Sequence, residues 1–91
     1  MDYSAFPGYE LIREGLHDLE QDRLTQSGLL VAIGAERLRR IGLDVPGVSI
    51  ADPEHELYIL LAREEPDSAH SRYNALVRQL VSFERAAECA A

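Results

Sequence analysis

The sequence predicts an all-α fold, and three observations carry that expectation. Apolar side chains recur every three or four positions along most of the chain, the spacing that gathers them on one stripe of a helix. Capping residues stand ahead of these stretches: Thr25 before residues 26–41, and Asp52 followed by Pro53 before the next. Stop and turn signals close them at Gly42, Pro46-Gly47 and Pro66. The expected architecture is a compact four-helix domain spanning 1–91, with helices near residues 7–22, 26–41, 53–64 and 68–88.

The first helix is read from Phe6, Tyr9, Ile12, Leu16 and Leu19, started by Ser4 or Pro7, with Glu10 and Glu14 towards its positive end. The second stretch, GLLVAIGAERLRRIG, is ambiguous on its own, because a short apolar run such as LLVAI also suits a buried strand. Its flanks decide for a helix: Thr25 caps it, AERLRR continues it without a turn signal, and Gly42 supplies a left-handed stop. Gly28 and Gly34 each cost about 1 kcal/mol inside a helix, and close approach of a neighbouring helix over Gly28, Ala32 and Ala35 would offset that through contact. Neither a dinucleotide nor a Walker glycine pattern is present, so the glycines give no reason to expect a nucleotide.

LDVPGVSIAD reads as a linker, with Val45 held extended by Pro46. The third helix carries Leu57, Tyr58, Ile59, Leu60 and Leu61, a sector wide enough to be covered on more than one side. Asp67 or Ser68 opens the last helix, whose stripe is Tyr73, Leu76, Val77, Leu80, Val81 and Phe83, with Ala87 beyond.

With 46% hydrophobic and 27% charged residues, the balance is that of a folding chain rather than a disordered one. The net charge of -7 and the lack of any basic tract argue against nucleic acid and anionic membranes as partners, since both are held mainly through Lys and Arg. A single cysteine, Cys89, cannot form an internal disulfide, and the first residues lack the pattern of a signal peptide, so a cytoplasmic location is expected. Charge alternates along the chain: residues 1–23 and 46–70 are acidic, while 24–45 and 71–91 are mildly basic. The arginine edges of helices two and four are expected to meet the acidic edges of one and three, within a subunit or across a dimer.

Each histidine follows a carboxylate by three positions: Glu14 and His17, Asp52 and His55, Asp67 and His70. On a helix such pairs share a face, and ferritin-like di-iron bundles present metal ligands in this way. These six residues are the metal candidates, with Glu84 and Glu88 the further carboxylates on the last helix. Asp52 and Asp67 are also the best N-caps in the chain, which commits their oxygens to backbone amides. No nucleophile elbow surrounds any serine, and no histidine lies near Cys89 in sequence, so no catalytic residue is assigned and no cofactor is expected. Arg63 and His70 distantly resemble the Arg and His pair of the HEPN ribonucleases, small all-α proteins that dimerise to cut RNA. That resemblance rests on two residues and implies a helical, dimeric, RNA-cleaving alternative.

The leading expectation is a non-enzymatic interaction module that binds an unidentified protein partner and self-associates as a homodimer. Wide apolar sectors on helices two and three exceed what one small core readily hides. Arg72, Arg78 and Arg85, beside the stripe of the last helix, suit a partner helix with an acidic rim.

Overall fold

The computed structural model describes residues 2–47 and 49–90, and these residues are 68% helical without a strand among them. Five helices follow one another: α1 (Tyr9–Glu20), α2 (Gln26–Ile33), α3 (Ala35–Arg40), α4 (Pro53–Glu64) and α5 (Ala69–Ala90). The all-α class is the one expected. Helix α2 is the hub, packing against α1, α4 and α5, with Leu29, Leu30 and Val31 all buried. It carries no charge, which suits a helix buried over most of its surface. At eight residues it is too short to persist alone in water, so packing holds it.

Local chemistry joins the elements. Thr25 caps α2 by accepting a hydrogen bond from the Gly28 amide (3.0 Å), and the same hydroxyl donates to Oδ2 of the buried Asp18 on α1 (2.6 Å). The end of one helix and the start of the next therefore share a single hydroxyl. Helix α1 closes with Asp22 at φ 55°, its amide donating to the Leu19 carbonyl while the Arg23 amide donates to Asp18. Helix α3 closes in the same way on Gly42, at φ 104°, the left-handed stop expected there. Asp52 accepts from the His55 amide to cap α4, and Pro53 fills its first turn. The linker is pinned by Arg39, whose guanidinium donates to the carbonyls of Val45 and Pro46.

Two features differ from the expected elements. The first helix begins at Tyr9, not at 7, because residues 3–8 turn back onto α5: Tyr3, Phe6 and Phe83 pack ring to ring at 5.9–6.2 Å, and the Tyr3 hydroxyl donates to the Ile41 carbonyl (2.5 Å). Gly8, at φ 79°, makes that return, lying so close to α5 that a Cβ would stand 2.9 Å from the Gln79 carbonyl oxygen. The expected continuous helix over 26–41 is instead interrupted at Gly34, which leaves helical geometry (φ -94°, ψ 12°) between α2 and α3. Hydrogen bonds still bracket the break, from Gly34 back to Leu30 and from Leu38 back to Gly34. α5 lies against this point, and only glycine leaves room for it: a Cβ at Gly34 would stand 2.9 Å from both Leu80 Cδ1 and Glu84 Oε2.

The close helix approach expected over Gly28, Ala32 and Ala35 is found instead at Gly34; at Gly28 the nearest atom to a Cβ would be the Arg23 carbonyl oxygen of the preceding turn, at 2.8 Å. The tightest approach, however, is at Gly15 of α1, where a Cβ would stand 2.5 Å from Val31 Cγ2 and nearer still to the Ser27 carbonyl oxygen. Phe83, Ile12, Leu30, Leu38, Leu57, Leu61 and Leu76 fill the core. The described part of the chain has a radius of gyration of 12.6 Å, near the roughly 12 Å expected for a packed chain of this length.

Candidate interaction surface

Interrupting the helix at Gly34 has a chemical consequence. It sets the short, arginine-rich α3 beside the C-terminal half of α5, and an open cleft of about 390 Å³ lies between them. Its floor is apolar, built from Ala32, Ile33 and Gly34 on one wall and Val77, Leu80 and Val81 on the other, with Arg37, Arg40 and Glu84 at one end. Ile33, Val77 and Val81 are only partly buried, so their outer surfaces face solvent.

Glu84 is the unusual residue of this cleft. It is only 3% exposed, yet it is ionisable and lies against Leu80 and Gly34. Oε1 faces Nη1 of Arg37 at 3.5 Å, while Nε of the same guanidinium donates to Glu88 Oε1 at 2.5 Å. Arg37 therefore bonds the exposed carboxylate tightly and the buried one loosely. Glu84 Oε2 lies over Gly34, and the carboxylate lines the cleft. Desolvation raises the pKa of Glu84 above the ordinary carboxylate range against the opposing pull of Arg37, whereas the hydrogen bond from Arg37 lowers that of Glu88.

One of the expected pairings is present, Arg72 of the last helix with Glu65 of the acidic segment 46–70, whereas Arg37 meets acids of the last helix instead of the first or third. Arg37 on α3 pairs with α5, and Arg72 on α5 reaches Glu65 at 4.0 Å in the turn after α4. Helix α1 keeps its own pair, Arg13 with Glu10. A second hollow, of about 490 Å³, lies where α1, α2 and α4 meet, with Leu24 at its edge half exposed. It is the more polar of the two, being lined by Glu14, Gln26, Glu64 and Arg72, and Gln26 already donates to Glu64 and Glu65 across its margin.

Of the six metal candidates, Glu14 lines the second hollow and the other five line neither. Glu14 and His17 are exposed on α1, Asp52 is engaged in capping α4 with His55 exposed behind it, and Asp67 lies exposed in the turn before α5. His70 is exposed too, hydrogen-bonded to Asn74 and edge-on to Tyr58 at 6.5 Å. Among the described residues, no three His, Cys, Asp or Glu side chains gather as a metal site. Glu84 and Glu88, the further carboxylates, face Arg37. Arg63 and His70, the pair that resembles the HEPN ribonucleases, lie exposed at the end of α4 and the start of α5. Sequence reasoning did not single out Arg37; the signal available was its place in an arginine cluster one turn after Gly34, at helical distance from the cleft wall.

Among the described residues, no helix is long and apolar enough to cross a membrane. Comparison of the chain with protein-family models, with the curated proteins and with the solved structures gives no match.

Proposed function

We propose that the chain is a small protein-interaction module that self-associates, and that the cleft between α3 and α5 is its docking surface. One observation carries this reading: a cleft with an apolar floor on which Ile33, Val77 and Val81 stay half covered, bordered by a nearly buried carboxylate and the Arg37 guanidinium that faces it. Amphipathic helices are recognised in grooves of this kind, their apolar face on the floor and their charges at the rim. An acidic protein without lysine would draw such affinity from apolar contact and arginine pairing, not from a phosphate backbone. Among the described residues, the large apolar side chains exposed elsewhere are Leu24, before α2, and the neighbours Tyr58 and Ile59 on α4.

Sedimentation equilibrium of the purified chain from low to high micromolar concentration tests the reading. Reversible dimerisation that weakens on substituting Val77→Asp, with the fold retained by circular dichroism, supports it. A monomer throughout the range removes it.

A further inference from the structure

The N-terminal return that lays Tyr3 on Phe83 also shapes a pocket of about 200 Å³ against α1. Its floor is Ile12 and Phe83, both fully buried, and its walls are Tyr3, Tyr9, Leu16 and Leu43, all partly buried. Helical spacing explains the α1 wall: Tyr9, Ile12, Arg13 and Leu16 fall at i, i+3, i+4 and i+7, on one face. Two charged groups complete the lining, the Asp2 carboxylate and the Arg13 guanidinium, and because both residues are exposed they stand at the mouth. Among the described residues, the pocket shares no lining residue with the cleft between α3 and α5.

Size and charge together define an occupant. An apolar cavity of about 150 Å³ accepts benzene, so this one has room for a phenyl ring and its methylene. The rings of Tyr3, Tyr9 and Phe83 favour an aromatic guest over an aliphatic one. At the mouth, a simple carboxylate meets Arg13 but is repelled by Asp2, and a simple amine is attracted by Asp2 but repelled by Arg13. A zwitterion satisfies both. Neither group is exhausted by its present bonds: Arg13 gives Nη2 to Glu10 at 3.0 Å out of five N–H donors, and Asp2 accepts the Ser4 amide at Oδ1 with a second oxygen beside it. No residue inside a peptide carries both an ammonium and a carboxylate on its backbone, which turns the choice to a free amino acid. We propose that this pocket binds a free aromatic α-amino acid, phenylalanine in kind, its ring over Ile12 and Phe83, its carboxylate on Arg13 and its ammonium on Asp2.

The test is an NMR titration of the isotope-labelled intact chain with phenylalanine. The methyl signals of Ile12, Leu16 and Leu43 are expected to move together and saturate, while those of Val77 and Val81 in the cleft stay in place. Phenethylamine, which lacks the carboxylate, and 3-phenylpropanoate, which lacks the ammonium, are each expected to bind about three- to fivefold more weakly. Arg13→Gln should erase the advantage of phenylalanine over phenethylamine, and Asp2→Asn its advantage over 3-phenylpropanoate. Both substitutions are at exposed positions, so the fold is expected to persist. Absence of a saturable shift up to about 20 mM phenylalanine overturns the site. Shifts centred on Val77 and Val81 overturn it too, because the ligand would then lie in the cleft. Equal affinity for the three ligands overturns the pairing of charges at the mouth and with it the assignment to an amino acid. None of these readings depends on oligomeric state, so the self-association proposed above is tested separately.

Discussion

Arg37 lies between two carboxylates that burial treats in opposite ways: Nη1 is 3.5 Å from the nearly buried Glu84, and Nε is 2.5 Å from the half-exposed Glu88. Their titrations push stability in opposite directions. Glu84 has a raised pKa in the folded chain, so its contribution is fully present below the ordinary carboxylate value and is lost as pH rises through the raised one. Glu88 has a lowered pKa, so its contribution is present above the ordinary value and is lost as pH falls through the lowered one. In dilute solution Glu84→Gln is therefore expected to raise the melting temperature at neutral pH, with the gain vanishing towards acid, where Glu84 is protonated. Arg37→Met should do the reverse, lowering the melting temperature at neutral pH and approaching the unaltered chain only as the pH falls through the lowered pKa of Glu88, by which point Glu84 is already protonated. Thermal denaturation across pH 3–8 checks both; a pH-independent difference for Arg37→Met would show that the ion pairs are not what it removes.

Gly15 sets the distance between α1 and α2. A methyl group there meets Val31 and the Ser27 carbonyl, and the carbonyl belongs to a helix backbone held by three neighbours. Rotation of a side chain cannot relieve that clash, so Gly15→Ala is expected to cost about 2–3 kcal/mol despite the better helix propensity of alanine. Urea denaturation measures it; a neutral or stabilising result would mean that α1 can move away from α2 without loss.

The Tyr3 hydroxyl gives a smaller, cleaner measurement. It satisfies the Ile41 carbonyl, one of the acceptors left over at the end of α3. Tyr3→Phe keeps the ring on Phe6 and Phe83 and removes only the hydrogen bond, for an expected loss of about 1 kcal/mol. Exchange of the Gly42 and Leu43 amides should quicken in the same variant, because the closure of α3 loses its tether.

What could be read from the chain divides by range. The caps at Thr25 and Asp52 and the stop at Gly42 depend on residues within one turn of each other, and all three are found where expected. The start of α1 was displaced by a distant cause, since Pro7 suits a helix start but the Tyr3 and Phe6 rings are drawn to Phe83. Gly34 reads locally as a weak point within a helix. That Leu80 and Glu84 pack so closely against it is recorded in no local pattern. The cleft follows the same logic: Glu84 and Glu88 stood out as carboxylates, but Arg37, 47 and 51 residues away, is joined to them only by the path of the fold. Gly15 carries no local signal, because its reason lies in the Ser27 carbonyl and the Val31 side chain of α2.

Two helix ends with the same closure but different residues provide a matched comparison. Asp22 and Gly42 occupy the same left-handed position after α1 and α3, at φ 55° and 104°. An L-residue is strained there by its Cβ, by roughly 1 kcal/mol, somewhat less for aspartate, whose short side chain tolerates the region. Asp22→Gly should consequently stabilise the chain by about 0.5 kcal/mol, and Gly42→Ala should destabilise it by about 1–2 kcal/mol. The larger cost at Gly42 has two sources: its φ lies further from the left-handed minimum, and a Cβ would stand 3.1 Å from the Tyr3 hydroxyl. Combining Gly42→Ala with Tyr3→Phe separates them, since additive losses in urea denaturation would assign the cost to backbone strain, whereas a smaller combined loss would assign part of it to contact with that hydroxyl.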